Sequence, residues 1–198
     1  MAFDITRFKQ TLSGGGARPS LFEVTLQFPG DVGLNLAVSN TLSFLCKATA
    51  IPTSTVAPIE VPYFGRKVKF AGNRTFPEWT ITVINDENFV VRDAFERWLS
   101  GINTHETNVR QYNESITGGY QATGTVSQLG KEGTLLRTYQ FMNVFPSEVS
   151  PIELNWASEN EIEEFTVTLQ YDYWRVLGIP GAGPISGTPG AGGGLVNI

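Results

Sequence analysis

Alternation of apolar and polar side chains recurs along this chain and is sharpest near its end. From Glu164 to Trp174, Phe165, Val167, Leu169, Tyr171 and Tyr173 fall on one side, and Thr166, Thr168, Gln170 and Asp172 on the other. Successive side chains of a strand face opposite sides of its sheet, so this stretch predicts a strand with one apolar and one polar face. Phe22, Val24, Leu26 and Phe28 repeat the pattern ahead of a Pro29-Gly30-Asp31 turn. Leu42, Phe44, Cys46 and Ala48 do so again, as do Trp79, Ile81 and Val83 against Thr80 and Thr82. A further strand is predicted from about Leu136 to Phe145, and a weaker one over Ala122 to Leu129, interrupted by Gly124.

One stretch has the other period. Between Asn88 and about Ile102, the residues Val91, Phe95, Trp98, Leu99 and Ile102 form an amphipathic helical stripe. Asp86 or Asn88 suits its start, and Gly101 and Asn103 its end. The fold class expected is mainly β, an antiparallel β-sandwich or barrel with one flanking α-helix over about 88–103.

Three segments do not read as core. Ser13 to Ala17 is a glycine-rich spacer that makes residues 1–17 an N-terminal arm. Ile51 to Phe64 carries Pro52, Pro58 and Pro62 among β-branched residues and reads as an extended excursion or open hairpin. Beyond the domain at 18–177, residues 178–198 are a low-complexity Gly/Pro-rich tail.

Composition narrows the function. Charged residues are 17% of the 198-residue chain, below the quarter typical of soluble domains, so part of the surface is expected to be covered by partners. The net charge of −5 argues against tight binding to phosphate backbones. The N-terminal residues lack the apolar core of a signal peptide, and no apolar run reaches the ~18 residues of a membrane helix. No membrane insertion is expected, and the sequons at Asn73 and Asn113 are read as accidental. One cysteine excludes an intrachain disulfide.

Candidate chemistry is sparse. His105 is the lone histidine, set among polar loop residues, and a closed zinc site cannot be built from one histidine and one cysteine. Cys46 alternates with Leu42 and Phe44, as a buried small hydrophobe does. There is no nucleophile elbow, and the glycine runs lack the lysine and flanking elements of a phosphate loop. Glu159, Glu161, Glu163 and Glu164 form the one carboxylate cluster from which a general acid/base pair could be drawn; a solvated acidic turn is the plainer reading. The basic run Arg66-Lys67-Val68-Lys69, with Arg74 and nearby Tyr63, Phe64 and Phe70, suits either nucleic acid or a subunit interface. The acidic total favours the interface. No catalytic residue, metal site or cofactor is expected.

Longer stretches carry a resemblance. Phe44-Leu-Cys-Lys-Ala-Thr-Ala-Ile-Pro, Ile59 through Phe76, Trp79-Thr-Ile-Thr-Val-Ile-Asn-Asp, and Arg92-Asp-Ala-Phe-Glu-Arg-Trp resemble the tail tube proteins of contractile-tailed, myovirus-type bacteriophages. Phe145-Pro-Ser-Glu-Val-Ser-Pro-Ile-Glu-Leu and Ile162 through Trp174 complete a similarity that spans roughly residues 3–175 in the same order. That family is related in fold to the tube subunit of type VI secretion systems.

The resemblance implies a structural virion protein, assembled in the host cytoplasm, whose homohexameric rings stack into the inner tail tube. Its implied partners are itself, the sheath, tape measure, baseplate and tail terminator proteins, with DNA passing through unbound. A type VI-like ring or tube initiator is the alternative; a carbohydrate-binding or hydrolytic β-sandwich using the 161–164 acids is a more distant one. On the tube reading, inter-ring contacts are expected from Ile51, Pro52, Pro58, Pro62, Arg66, Lys67 and Lys69, with the cations pairing to acids on the next ring. The polar face of Thr166, Thr168, Gln170 and Asp172 either lines a lumen or meets ordinary solvent; the pattern leaves both open.

Overall fold

The computed structural model describes residues 4–12, 15–29, 36–110 and 119–177. The expected turn at Gly30-Asp31 and the tail after Leu177 lie outside them. The elements in chain order are α1 (Ile5–Thr11), β1 (Phe22–Gln27), α2 (Leu36–Leu45), β2 (Cys46–Thr49), β3 (Thr55–Tyr63), β4 (Arg66–Thr75), β5 (Trp79–Ile84), α3 (Val90–Ile102), β6 (Ala122–Leu129), β7 (Leu135–Val149), β8 (Glu164–Gln170) and β9 (Tyr173–Leu177).

Seven strands form one antiparallel sheet in the order β1-β6-β7-β8-β5-β2, with β9 also on β7. Strand β7 is the hinge of the architecture. Its first part pairs with β6 and with β9, and its last residues, Phe145 to Val149, pair with β8. Between the two regimes Asn143 adopts φ 59°, and its side-chain amide donates to the Asp172 carboxylate, while the Asp172 N–H donates to the Met142 carbonyl at 3.1 Å. Strands that turn a corner together through such irregularities let one sheet fold over on itself. The fold-over is visible in the packing. Trp79 of β5 stacks on Phe141 of β7 at 4.1 Å and 7°, although these strands are not neighbours in the sheet.

The core follows the alternation. Val24 and Leu26, Trp79, Ile81 and Val83, and Phe165, Val167 and Leu169 are all buried. Helix α3 closes the core with Val91, Ala94, Phe95, Trp98 and Gly101. Leu99, expected on that stripe, is half-buried. The helix begins two residues later than Asn88, where the Asp86 carboxylate accepts the Val90 N–H at 3.1 Å. Phe28 meets Phe95 and Trp98 edge-on, and the Trp98 indole N–H donates to the Tyr120 carbonyl at 2.7 Å.

Three expectations need correction. Leu42 and Phe44 lie on helix α2, and only from Cys46 does the chain become a strand. Val38, Leu42 and Leu45 sit at i, i+4 and i+7, so this short stretch satisfied both periods, and packing against β1 and α3 selected the helix. Phe44 consequently points outward and is 87% exposed. Next, the strand read from Glu164 to Trp174 is two strands, broken at Tyr171-Asp172, and Tyr173 lies outside the core. Finally, α3 is not the sole helix. Besides α2, residues 5–11 form α1, capped by the Asp4 carboxylate, with Ile5, Phe8 and Leu12 exposed along one side.

Candidate assembly interface

Strands β3 and β4 pair only with each other. They are nine and ten residues long, every residue on them is exposed except half-buried Gly72, and no other strand or helix packs extensively against them. At ~3.4 Å per residue the hairpin stands out by about 30 Å. The proline-bearing excursion of the sequence is therefore a free-standing hairpin. An isolated hairpin of this kind is marginal in water.

The register sorts its side chains. Ile59 faces Phe70, Val61 faces Val68 and Tyr63 faces Arg66, so these share one surface. Pro58 faces Ala71, Glu60 faces Lys69 and Pro62 faces Lys67 on the other. One face is thus apolar, with Ile59, Val61, Tyr63, Val68 and Phe70 all between 42% and 64% exposed. The other carries the charge, where Lys67 and Lys69 reach the Glu60 carboxylate at 2.7 and 3.8 Å. The expected contact residues are thereby divided. Pro58, Pro62, Lys67 and Lys69 share the charged face, Arg66 borders the apolar one, and Ile51 and Pro52 precede the hairpin. Glu60 gives the two lysines a partner within the chain that the sequence reading did not consider. No ion pair among the described residues involves Arg66.

Phe64 and Gly65 close the hairpin with φ of 41° and 78°. Two successive positive-φ residues make the tight turn whose twist matches flanking strands. A bulky side chain seldom adopts such a φ, and Phe64 is 92% exposed at the tip, in edge contact with Tyr63. At the root, the Trp174 indole N–H donates to the Thr53 carbonyl at 3.1 Å.

At the opposite end of β5 lies the loop 150–163. It bounds an open groove of about 660 Å³ lined by Ile152, Leu154, Trp156 and Ile162 together with Glu153, Glu161, Glu163 and Glu164. Leu154, Trp156 and Ile162 are 81%, 99% and 71% exposed. This is the acidic cluster considered for acid/base chemistry. Glu163 accepts from the Asn85 amide at 3.0 Å and Glu164 pairs with Lys47, so two of its acids serve structural bonds. His105 is exposed in its loop, and the described residues hold no group of three potential metal ligands.

The polar sheet face holds three of the four residues expected on it. Thr168 lies opposite Thr80 and Thr166 opposite Thr82, and Gln170 donates to Glu78 at 2.7 Å. Asp172 is instead at the corner, bonded to Asn143. Sequence reasoning missed Leu154, Trp156 and Ile162. The one signal for them was three large apolar residues scattered through an acidic stretch without any period.

Cys46 is a core residue as expected, its thiol facing the Ala48 carbonyl at 3.7 Å, and burial pushes its pKa up to about 11. Burial raises the Tyr171 phenol in the same direction. In both cases folding favours the protonated form, so this stability is complete below the unfolded-state pKa and is lost as pH rises through the folded value. Denaturant midpoints are expected to fall from about pH 9 upward, and Cys46→Ala should flatten that alkaline limb. An unchanged limb would place the thiol outside the core.

The phage tail tube protein family model matches residues 17–177. The tail tube protein gp19 of Enterobacteria phage T4 is 38% identical over 177 residues, which cover 87% of this chain and 98% of that protein. Among solved structures, a chain of the anti-feeding prophage baseplate aligns with 83% of this chain and 97% of its own length, at TM-score 0.57 and 16% identity. A chain of the sheath–tube complex of an extracellular contractile injection system in its extended state covers 90% of this chain and 100% of its own, at TM-score 0.55 and 16% identity. At those identities the likeness is one of fold. A family match along the whole β domain, with a relative this similar over nearly its full length, makes this a structural protein and not an enzyme: the chain belongs to the phage tail tube protein family.

Proposed function

We propose that copies of this chain close into hexameric rings that stack head to tail into the inner tube of a contractile phage tail, through which DNA leaves the virion. The observation that carries this reading is the free-standing hairpin with an apolar face turned to water. Monomeric proteins bury such faces, and one left open from Ile59 to Tyr63, roughly 17 Å, marks a surface that a neighbour covers. Stacking by translation and rotation is heterologous, using different patches at the two ends of each subunit, and such contacts do not close.

Residues 18–177 form the tube domain on this reading, with 1–17 as an arm and 178–198 as a tail. Ile51, Pro52, Pro58, Pro62, Arg66, Lys67 and Lys69 belong to the inter-ring contact. The polar face of Thr166, Thr168 and Gln170, with Thr80 and Thr82 beside it, lines the lumen. These five side chains carry no charge, and Lys47 at the end of the face is paired to Glu164, so phosphate meets little free positive charge there and DNA slides past. The sheath, tape measure, baseplate and terminator proteins are the partners of such a tube, and assembly takes place in the host cytoplasm.

Electron microscopy of the concentrated protein, alone and seeded with tail baseplates, tests this. Hollow tubes with a regular axial repeat and six-fold end views are expected. A monomer that never polymerises, even when seeded, would overturn the reading.

A further inference from the structure

The hairpin and the acidic loop sit at opposite ends of the same strands. Thr49 of β2 pairs with Ile81, and β5 begins at Trp79, so the chain leaves for the hairpin and returns from it at the Trp79 end. Ile84 pairs with Glu164, and the Ser150 N–H donates to the Thr166 carbonyl at 2.8 Å, which puts the loop 150–163 at the other end. Six residues of β5 separate them, roughly 20 Å along the strand.

The two ends are complementary in charge and alike in apolar exposure. Within 55–75 there are four cationic side chains and one carboxylate, Glu60, already shared by Lys67 and Lys69. Within 85–89 and 150–164 there are seven carboxylates and no lysine or arginine. Each end also holds uncovered aromatic and aliphatic groups: Tyr63 and Phe64 at the hairpin tip, Leu154, Trp156 and Ile162 around the groove. The open groove of about 660 Å³ has room for a large aromatic side chain.

We infer that the acidic groove is the receptor for the hairpin tip of the next copy: Phe64 seats among Leu154, Trp156 and Ile162, and Arg66 pairs with Glu161 at the rim. This rests on the stacked-tube reading and adds to it the partner surface for the hairpin. It also alters the expected ion pairing. Arg66 is the cation that crosses between copies, while Lys67 and Lys69 stay with Glu60. Apolar burial supplies the contact, and the opposed charges set its direction, because tip against tip and groove against groove both juxtapose like charges.

The test uses the full-length chain. Phe64→Cys and Trp156→Cys variants are assembled together under oxidising conditions, with buried Cys46 as internal control. A disulfide-linked dimer that forms only in the mixture is expected. Arg66→Glu and Glu161→Arg should each raise the protein concentration needed for tubes by about tenfold or more, and the chain carrying both should recover. Trp156 emission should shift to the blue on polymerisation of the parent, and a Trp156→Phe chain should lose that shift. Tubes of normal appearance with no 64–156 link, no Trp156 shift and no charge-swap recovery would overturn the inference while leaving the tube reading standing. A parent chain that never forms tubes would overturn both.

Discussion

A chain carrying Val61→Asp and Val68→Asp is expected to fold like the parent and to form no tubes. The two valines face each other across the hairpin and are 45% and 42% exposed in the single subunit. Since no other element packs extensively against the hairpin, the substitutions remove nothing from the core. The melting temperature should therefore stay within about 2 °C of the parent, given the shift per kcal/mol usual at this chain length. Assembly is another matter. Burying a valine stabilises by about 1.5–3 kcal/mol, and placing carboxylates there adds their desolvation. Each valine has less than half of its surface left to cover, so the lost burial is about 0.75–1.5 kcal/mol apiece. The pair costs at least ~1.5 kcal/mol per contact before carboxylate desolvation, more than about tenfold in the concentration that supports growth. Sedimentation of concentrated samples, with circular dichroism to check the fold, reads both halves. Tubes at the parental concentration would show that this face is not an assembly surface.

The largest effect on the fold itself is expected at Gly124. A Cβ there would lie 2.6 Å from Cζ3 and 3.1 Å from Cη2 of Trp79. That indole cannot retreat. It is 2% exposed, stacked on Phe141, and its N–H donates to the Thr49 hydroxyl at 2.8 Å. Gly124→Ala should cost about 1–3 kcal/mol, the range for overpacking a tight core, and Gly124→Val more. For a domain of this size that means a melting temperature lower by roughly 2–12 °C for alanine. Pairing Gly124→Ala with Trp79→Phe should recover part of the loss, because the smaller ring vacates the space. No recovery would place the strain elsewhere, and an alanine variant as stable as the parent would mean the sheet does not fold over here.

These two sites mark where sequence reasoning reaches and where it stops. The alternation in β1, β5 and β8 exposed the buried faces, because strand geometry is a local property with a period of two. The stripe from Val91 to Trp98 exposed α3 for the same reason at a period of 3.6. Prolines 52, 58 and 62 marked the excursion, since proline is excluded from central strands. Around Leu42 the local signal was degenerate, and α2 formed because Val38, Leu42 and Leu45 had a core to meet.

The sequence alone determined that this chain is a mostly β domain with a helix across its core and an extended proline-bearing segment. Tertiary structure alone decided which faces stay open and where they lie. Gly124 reads as a weakness in β6 until Trp79, 45 positions earlier, is seen to occupy the space above it. The hairpin's apolar and charged faces separate only once the Phe64-Gly65 turn fixes the register, since a slip of one residue would set Ile59 and Val61 opposite the lysines and mix the two faces. The basic hairpin and the acidic groove stand at opposite ends because the hairpin leads into β5 at Trp79, while the loop 150–163 leads into β8 at Glu164, which pairs with Ile84 at the other end of β5, a relation set by strand pairing between residues far apart in the chain.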